Sequence, residues 1–283
     1  MYAANDTAVF NPKGLLIYDP LLTDDPVQES LVAVPFVESL LKVFAFNATF
    51  LASIRERHVS CGFADFLAEN LQFPPPGPLP ALVVPPGCDL WTAVFEAVLA
   101  NNPCFNVYQV TQICTELWDV LGYPGSFAYV PEGATVYFNR TDVQDAIHAP
   151  NVAWDLCNDG VFGANGGKDA SPPSSYEVLP RVIDLNERTV IAHGALDYVL
   201  IAEGTLVAIQ NMTWGGLQGF QEAPDAQFLV PNGRGVAGKT RTERKLTYVE
   251  VDLAGHMVPQ YAPAAAYRQL EFLLGRVPSL EAL

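Results

Sequence analysis

The 283-residue sequence contains few basic residues: lysine and arginine total 15, against 31 aspartates and glutamates, which gives a formal net charge of −16. A negative field of this size repels phosphate backbones and anionic lipid surfaces, so we expect neither a nucleic-acid partner nor a membrane partner. The longest apolar stretch, residues 31–46, is interrupted by Pro35, Glu38 and Lys42 and is shorter than a membrane-spanning helix requires. Because half of the residues are hydrophobic, the composition also excludes a disordered chain.

A basic segment followed by an apolar segment is missing from the N-terminus, so we expect no signal peptide in this chain. Two features nevertheless favour a secreted or vacuolar protein. One is a set of four N-glycosylation sequons, at Asn5, Asn47, Asn139 and Asn211. The other is a set of five cysteines, four of them in a loop-rich region suited to disulfides: Cys61, Cys88, Cys104, Cys114 and Cys157. Five is an odd number, so at least one cysteine has no partner within the chain, and we expect a sequence that lacks its beginning.

The chain divides into two parts of different character. From about residue 20 to 150, short helical patterns alternate with irregular segments, and residues 73–87 alone hold seven prolines. From residue 151 to 283, β-branched runs such as 189–192 alternate with helical patterns, which predicts an α/β fold with a largely parallel sheet. The stretch 234–245 holds five of the fifteen basic residues and is interpreted as a solvated hairpin loop. We expect one domain over residues 1–283, with 20–150 as a helical insertion.

Two residues lie where catalytic groups of α/β proteins are found, on loops after the carboxyl ends of strands. Asp197 follows the predicted strand 189–192, and His256 follows the predicted strand 246–251. An acid and then a histidine, each after its own strand, match the second and third members of a Ser-Asp-His triad of the α/β-hydrolase type. A turn aspartate and a structural loop histidine would satisfy the same spacing, so the pattern alone leaves both interpretations open.

The sequence segments around these two residues resemble those of the fungal serine carboxypeptidases. Residues 190–221, with Ala-His-Gly-Ala-Leu-Asp and Ile-Gln-Asn-Met-Thr-Trp, are similar to the aspartate region of that family. Residues 254–276, which include Ala-Gly-His-Met-Val-Pro, are similar to its histidine region. Residues 72–91 and 131–139 resemble its cysteine-rich insertion. The resemblance implies a partial α/β-hydrolase fold, comprising the C-terminal half of the central, mostly parallel sheet together with a disulfide-stapled helical insertion.

The resemblance also implies roles for individual residues in cleavage of the last peptide bond through an acyl-enzyme. Asp197 would orient His256, and His256 would act first as general base and then as general acid. Met257 matches a residue of the leaving-group pocket, whereas Val199 and Leu200 match residues that line the pocket for the penultimate side chain. All three are also ordinary core residue types. The implied substrate is a peptide, and we expect no metal and no other cofactor.

Two segments of the family pattern are absent from this sequence. They are Trp-x-Asn-Gly-Gly-Pro-Gly, which builds the oxyanion hole, and Gly-Glu-Ser-Tyr-Ala-Gly, which carries the nucleophile. Ser60 and Ser126 lack the Gly-x-Ser-x-Gly context, so neither is a credible substitute. The resemblance places the nucleophile upstream of Met1, in an N-terminal portion that would be a partner of this chain. We therefore expect the chain alone to be inactive; an inactive truncated paralogue and a related acyltransferase or esterase are the alternatives.

The cysteines fit the same resemblance. In the family, the cysteine at the position of Cys157 bridges to one near the N-terminus of the full protein, so Cys157 would be unpaired in this chain. A buried free thiol is the alternative explanation. The other four cysteines allow three connectivities. Of these, we expect the nested one, with Cys88–Cys104 inside Cys61–Cys114.

Overall fold

The computed structural model describes residues 9–103, 105–112, 133, 135–154, 171–231 and 235–283. Helices cover both faces of a five-stranded sheet, and a two-stranded ribbon lies beside it. The strands are β1 (Gly14–Tyr18), β2 (Arg188–Gly194), β3 (Thr213–Trp214), β4 (Leu217–Gln218), β5 (Ala226–Val230), β6 (Gly235–Glu243) and β7 (Leu246–Val251). The α-helices are α1 (Asp25–Gln28), α2 (Ala33–Ser39), α3 (Leu41–Phe44), α4 (Ala48–Ser60), α5 (Phe63–Asn70), α6 (Leu90–Asn101), α7 (Thr141–Ala146), α8 (Val178–Leu185), α9 (Ala202–Asn211), α10 (Val258–Tyr261) and α11 (Pro263–Leu273).

The main sheet has the strand order β1-β2-β7-β6-β5. Strands β1, β2 and β7 are parallel to one another, and β7, β6 and β5 form an antiparallel meander. The prediction of an α/β fold is confirmed, although among the described strands the sheet is mixed rather than largely parallel. Its parallel part contains the two strands that precede Asp197 and His256. Since neighbouring parallel strands end at the same edge, the loops that carry these residues meet there.

The interpretation of residues 234–245 as a loop is wrong for most of its length, because 235–243 forms strand β6. The basic side chains of this strand lie within ion-pair distance of carboxylates. Lys239 Nζ lies 3.1 Å from an oxygen of Glu250, its cross-strand neighbour on β7, and Arg241 lies 2.7 Å from Glu222. A polar strand with charged partners across the sheet has no apolar alternation, which is the signal that sequence interpretation uses.

The core of the sheet is built by the alternation of side chains along β2 and β7. Ile191 and Tyr248 face one side, where α8 and α9 cover them, and Val190 and Val249 face the other, where α10 and α11 pack. All four side chains are fully buried. Strand β2 is buried along nearly its whole length, so its end provides a rigid base for the loop that follows.

The helical region has a core of its own that reaches the loop of Asp197. Aromatic rings from α2, α3 and α6 surround Tyr198, the residue next to Asp197. The Trp91 indole donates a hydrogen bond to the Tyr198 carbonyl (2.6 Å), and the Tyr198 hydroxyl donates to the Trp91 carbonyl (3.0 Å). The two rings are also stacked, with centroids 5.3 Å apart. This double connection fixes the position of α6 relative to the Asp197 loop.

A disulfide joins Cys61 to Cys88, so the nested pairing that we expected is wrong. Cys61 caps the C-terminus of α4, and Cys88 directly precedes Asp89, the N-cap of α6. Because α4 and α6 pack against each other, the end of one helix lies beside the beginning of the other. The remaining three cysteines, Cys104, Cys114 and Cys157, lie outside the described residues.

Removal of this disulfide should lower the free energy of unfolding by about 2 to 4 kcal/mol, because the bond closes a loop of 27 residues in the unfolded chain. The measurement is denaturant-induced unfolding of the Cys61→Ser/Cys88→Ser double variant without reductant. Ser60→Ala, a change in the neighbouring exposed residue, is the control and should unfold as the parent chain does. Equal unfolding midpoints for the double variant and the parent would contradict the prediction.

In the part of the chain that the structure describes, no helix combines the length and the apolar character needed to cross a bilayer.

Candidate active site

Asp197 and His256 approach each other because their loops leave neighbouring parallel strands. The register pairs Gly194 at the end of β2 with Val251 at the end of β7. Asp197 lies in a tight turn directly after β2, where its amide donates to the Gly194 carbonyl (3.2 Å). Five residues beyond the end of β7, His256 follows Ala254 and Gly255, and the Ala254 carbonyl accepts a hydrogen bond from the Leu196 amide (2.8 Å).

The carboxylate of Asp197 and the ring of His256 form a direct hydrogen bond. Oδ2 of Asp197 lies 2.8 Å from Nδ1 of His256. The other oxygen, Oδ1, accepts the backbone amides of Val199 (2.9 Å) and Leu200 (3.3 Å). The Asp197 side chain is fully buried, whereas the His256 side chain is 28% exposed. Since a carboxylate only accepts, the hydrogen of Nδ1 points to Asp197, and Nε2 of the neutral ring carries the lone pair.

The pKa of His256 is raised above its ordinary value. Burial lowers it, but the hydrogen bond and the charge of Asp197 outweigh that effect, and the charge of Asp19 adds to them. The carboxylates of Asp197 and Asp19 therefore stabilise the protonated ring of His256 in this position. An acid that orients a histidine and stabilises its imidazolium form is what proton transfer to and from a nucleophile requires.

A segment of the helical region, residues 105–112, holds both loops in place. The backbone amide of His256 donates to the Tyr108 carbonyl (2.7 Å), and the amide of Tyr198 donates to the Val107 carbonyl (3.0 Å). The Tyr108 ring meets the His256 ring edge to face at 5.5 Å. The helical region thus contributes directly to the geometry of the acid and the histidine, although no pattern in its residues indicated this.

A second buried acid and a second buried histidine lie beside Asp197. Asp19 follows β1 as Asp197 follows β2, and His193 lies on β2 itself. The three groups Asp19, His193 and Asp197 place potential metal-ligand atoms within 4.8 Å of one another. The sequence interpretation assigned no role to His193 or to Asp19. Applying the strand-end rule to the run 14–18 would have found Asp19 as well.

The three proposed pocket residues lie next to the acid and the histidine. Val199 and Leu200 are half-buried, and their backbone amides donate hydrogen bonds to Asp197. Met257 is half-buried beside His256 and caps the N-terminus of α10. A cavity of about 320 Å³ lies elsewhere, against Arg188 and Thr247 near the amino ends of β2 and β7. It is therefore at the edge of the sheet opposite to Asp197. The lining roles of Val199, Leu200 and Met257 remain predictions.

The sequon asparagines have different surroundings. Asn47 is exposed and caps α4, where its side-chain oxygen accepts the Phe50 amide (2.9 Å). Asn139 bonds through both side-chain atoms to the backbone of Trp154 (3.0 and 2.6 Å). The oxygen of Asn211 accepts the Leu79 amide (2.9 Å), and Asn5 lies outside the described residues. Glycosylation of these residues remains a prediction; among the described sites, Asn47 is the one whose residue is exposed.

Comparison with known structures shows the class of fold. The crystal structure of Kex1(Δ)p, a prohormone-processing carboxypeptidase from Saccharomyces cerevisiae, superposes with a TM-score of 0.65 at 20% identity. The alignment covers 98% of this chain and 59% of that one. The chain therefore shares the fold of that protein, and the α/β-hydrolase fold class that the sequence resemblance implied is confirmed.

Comparison of sequences identifies the family. The profile of the serine carboxypeptidases matches residues 2–275. A probable serine carboxypeptidase from Arthroderma benhamiae is 50% identical over 99% of this chain and 55% of its own length. The serine-type carboxypeptidase F of Aspergillus niger is 42% identical over 98% of this chain and 57% of its own length. The chain belongs to the serine carboxypeptidase family, and it spans a little over half the length of these relatives.

Proposed function

We propose that this chain provides the acid and the base of a serine-type carboxypeptidase, an enzyme that hydrolyses the C-terminal residue of peptides through an acyl-enzyme. The observation that supports the proposal is the 2.8 Å hydrogen bond between Asp197 and His256 at the ends of neighbouring parallel strands, in a chain of this family. In this reaction, Nε2 of His256 removes the proton from the serine hydroxyl as the serine attacks the peptide carbonyl. Asp197 stabilises the imidazolium that forms, and His256 then protonates the leaving amine.

The nucleophile of the proposed reaction belongs to sequence beyond these 283 residues. The sequence contains no Gly-x-Ser-x-Gly segment and no segment of the oxyanion-hole type. Within the described part of the chain, β1 pairs with β2 alone, and its Leu15 and Ile17 side chains are only half-buried. A strand from an N-terminal portion could pair with this open edge. We infer that such a portion brings the serine and the oxyanion donors, and that the chain by itself is inactive.

The substrate and the location follow from the same proposal. A peptide would place its leaving residue near Met257 and its penultimate side chain near Val199 and Leu200, which lie next to His256 and Asp197. The proton transfers of the proposed reaction use only side chains and require no cofactor. The Cys61–Cys88 disulfide supports passage through the secretory route, and hence a secreted or vacuolar protein.

The test uses a fluorophosphonate probe, which labels an activated serine covalently. We expect the 283-residue chain to remain unlabelled. Expressed with upstream sequence that encodes the nucleophile, it should label at one serine and release the C-terminal residue of a blocked dipeptide. His256→Gln should abolish both signals, because the serine then has no base. His148→Gln, a change in an exposed histidine of the insertion, is the matched control and should retain them.

Three outcomes would change the proposal. Stoichiometric labelling of the 283-residue chain at a single serine would contradict the inferred absence of the nucleophile. A labelled longer protein that transfers acyl groups or cleaves esters, but not peptides, would indicate the acyltransferase or esterase alternative. A transcript in which a stop codon directly precedes the Met1 codon would indicate an inactive product.

A further inference from the structure

Three titratable side chains are buried together behind the Asp197–His256 hydrogen bond. The exposed fractions are 4% for Asp19 and 0% for both His193 and Asp197. Within the described residues, neither carboxylate forms an ion pair with a lysine or an arginine. Two buried carboxylates without a cation would repel each other, so one of them must be protonated or an adjacent group must carry the positive charge. His193 is the group that lies between them.

One nitrogen of His193 faces both acids. Nε2 lies 3.4 Å from Oδ2 of Asp197 and 3.6 Å from Oδ1 of Asp19, and it also bonds to the Leu200 carbonyl. A carbonyl oxygen can only accept, so Nε2 carries a hydrogen. Its lone pair is therefore not available to a metal ion. We interpret the three groups as an electrostatic cluster rather than a metal site.

The other nitrogen of His193 can hold a proton without rearrangement. Nδ1 lies 3.1 Å from the Thr205 hydroxyl, which can donate to a neutral ring or accept from a charged one. Gln28 donates to the same hydroxyl (3.1 Å) and is itself fully buried, so the hydroxyl is held in position. The site accommodates the imidazolium form of His193.

The two oxygens of Asp19 have different surroundings. Its Oδ1 accepts the Gly194 amide (2.7 Å), which leaves Oδ2 as the other place for a proton. Oδ2 is buried and has no hydrogen-bond partner in the described part of the chain, so a hydroxyl there would find no acceptor. The Gly194 amide and a charged His193 favour the carboxylate form of Asp19, whereas the burial of Oδ2 opposes it.

We propose that His193 is a positioning residue for the Asp197–His256 pair: as a buried imidazolium between Asp19 and Asp197, it holds Asp197 in the orientation that receives His256. This inference rests on the proposed function, in which Asp197 and His256 act on a serine. Once His256 is protonated, the four side chains alternate in charge as Asp19, His193, Asp197 and His256. When His256 takes the serine proton, the buried cluster as a whole becomes neutral, which favours that step.

Electrostatics agrees with a charged His193, whereas the burial of Asp19 works against the charge on that carboxylate. Burial alone lowers the pKa of His193, but the carboxylates of Asp19 and Asp197 outweigh it and raise the pKa to about 9. Burial raises the pKa of Asp19 to about 7, against the opposing charge of His193. Tyr248 also lies near Asp19; burial raises its pKa well above the usual range, so it stays neutral. Asp19 and His193 also act on His256 from a greater distance. Asp19 raises the pKa of His256 more than His193 lowers it.

The experiment is an NMR titration of the histidine rings, in the chain expressed with any sequence that precedes it in its transcript. The sequence has four histidines, which single His→Gln variants assign. We expect both ring nitrogens of His193 to carry protons at pH 7. Asp19→Asn should lower the pKa of His193 by roughly one pH unit or more, since a carboxylate within 4 Å is lost. The same substitution should also lower the pKa of His256, because it removes the charge of Asp19, which affects His256 more than the charge of His193 does.

The control is Asp184→Asn, the same isosteric change in an exposed acid that accepts the Gly215 amide, and it should move neither titration. A neutral His193 at pH 7 in the parent protein would overturn the proposal, and this result does not depend on whether the Asp19 variant folds. Unmoved titrations in a folded Asp19→Asn variant would overturn it too. The spectra require no serine and no hydrolysis, so a failure of the proposed function leaves this measurement intact. An active protein with a neutral His193 would reject only the present inference.

Discussion

Asp197→Asn should reduce kcat for peptide hydrolysis by about 10⁴-fold in the protein that carries the nucleophile. The reason lies in the two oxygens of Asp197. Oδ1 accepts the amides of Val199 and Leu200, so the asparagine oxygen must take that position and its NH₂ group must face His256. Nδ1 of His256 would then accept a hydrogen bond, and the ring proton would move to Nε2. A ring protonated at Nε2 cannot remove the serine proton.

The readout is kcat on a blocked dipeptide, together with the ring NMR signals of His256, which should report the exchange of tautomers. Asp225→Asn, an isosteric change in an exposed acid, is the control and should leave both unchanged. Retention of more than about a tenth of the parent kcat in the Asp197 variant would show that Asp197 does not act as the acid of the reaction.

Gly194→Ala should separate the loops of Asp197 and His256. A methyl group at residue 194 would lie 2.2 Å from the Gly255 carbonyl oxygen and 2.5 Å from that of Ala254. Both contacts are with backbone, so no side chain can move aside. Overpacking of this kind costs about 1 to 3 kcal/mol in unfolding free energy. A shift of about 1 Å between the two loops should also lower kcat by about 10²-fold.

Gly216→Ala is a control variant that separates the effect of backbone strain from the effect of steric overlap. Gly216 has a φ of +81°, and a methyl group there would have no atom within 4 Å. This variant should lose about 1 to 2 kcal/mol of stability through its left-handed backbone, with kcat unchanged. Unfolding in denaturant and kcat are measured for both variants. If Gly194→Ala kept the parent kcat, the close approach of the two loops would not control the Asp197–His256 geometry.

Asp197 and His256 could be predicted from the sequence because the rule behind them is topological. Parallel strands end at one edge of a sheet, so polar residues after two such strands meet there whatever the rest of the chain does. The family resemblance added the order of the residues and their roles. Asp19 obeys the same rule, but its run 14–18 stands about 170 residues before β2, and nothing local shows that the two strands are neighbours.

The features that the sequence interpretation missed depend on packing between distant segments. The Cys61–Cys88 bond depends on the contact of α4 with α6. The number and spacing of the cysteines do not reveal that contact. The support of His256 by the Tyr108 carbonyl is a backbone contact, and any residue type could provide it. Strand β6 consists mainly of polar and small residues, and its charged side chains pair with carboxylates, so hydrophobic periodicity could not reveal it.

The pairing of β1 with β2 affects how the chain is assembled. Strands β5, β6 and β7 are joined by short connections, so they can pair soon after they are made. Strand β1 leaves the ribosome long before β2 exists, since roughly 170 residues of synthesis separate Gly14 from its partner Arg188. During that interval Leu15, Leu16 and Ile17 have no β2 to cover them. Closure of this long loop is also what brings Asp19 to His193, so the buried cluster of Asp19, His193 and Asp197 can form only after β2 and the turn that follows it have been translated.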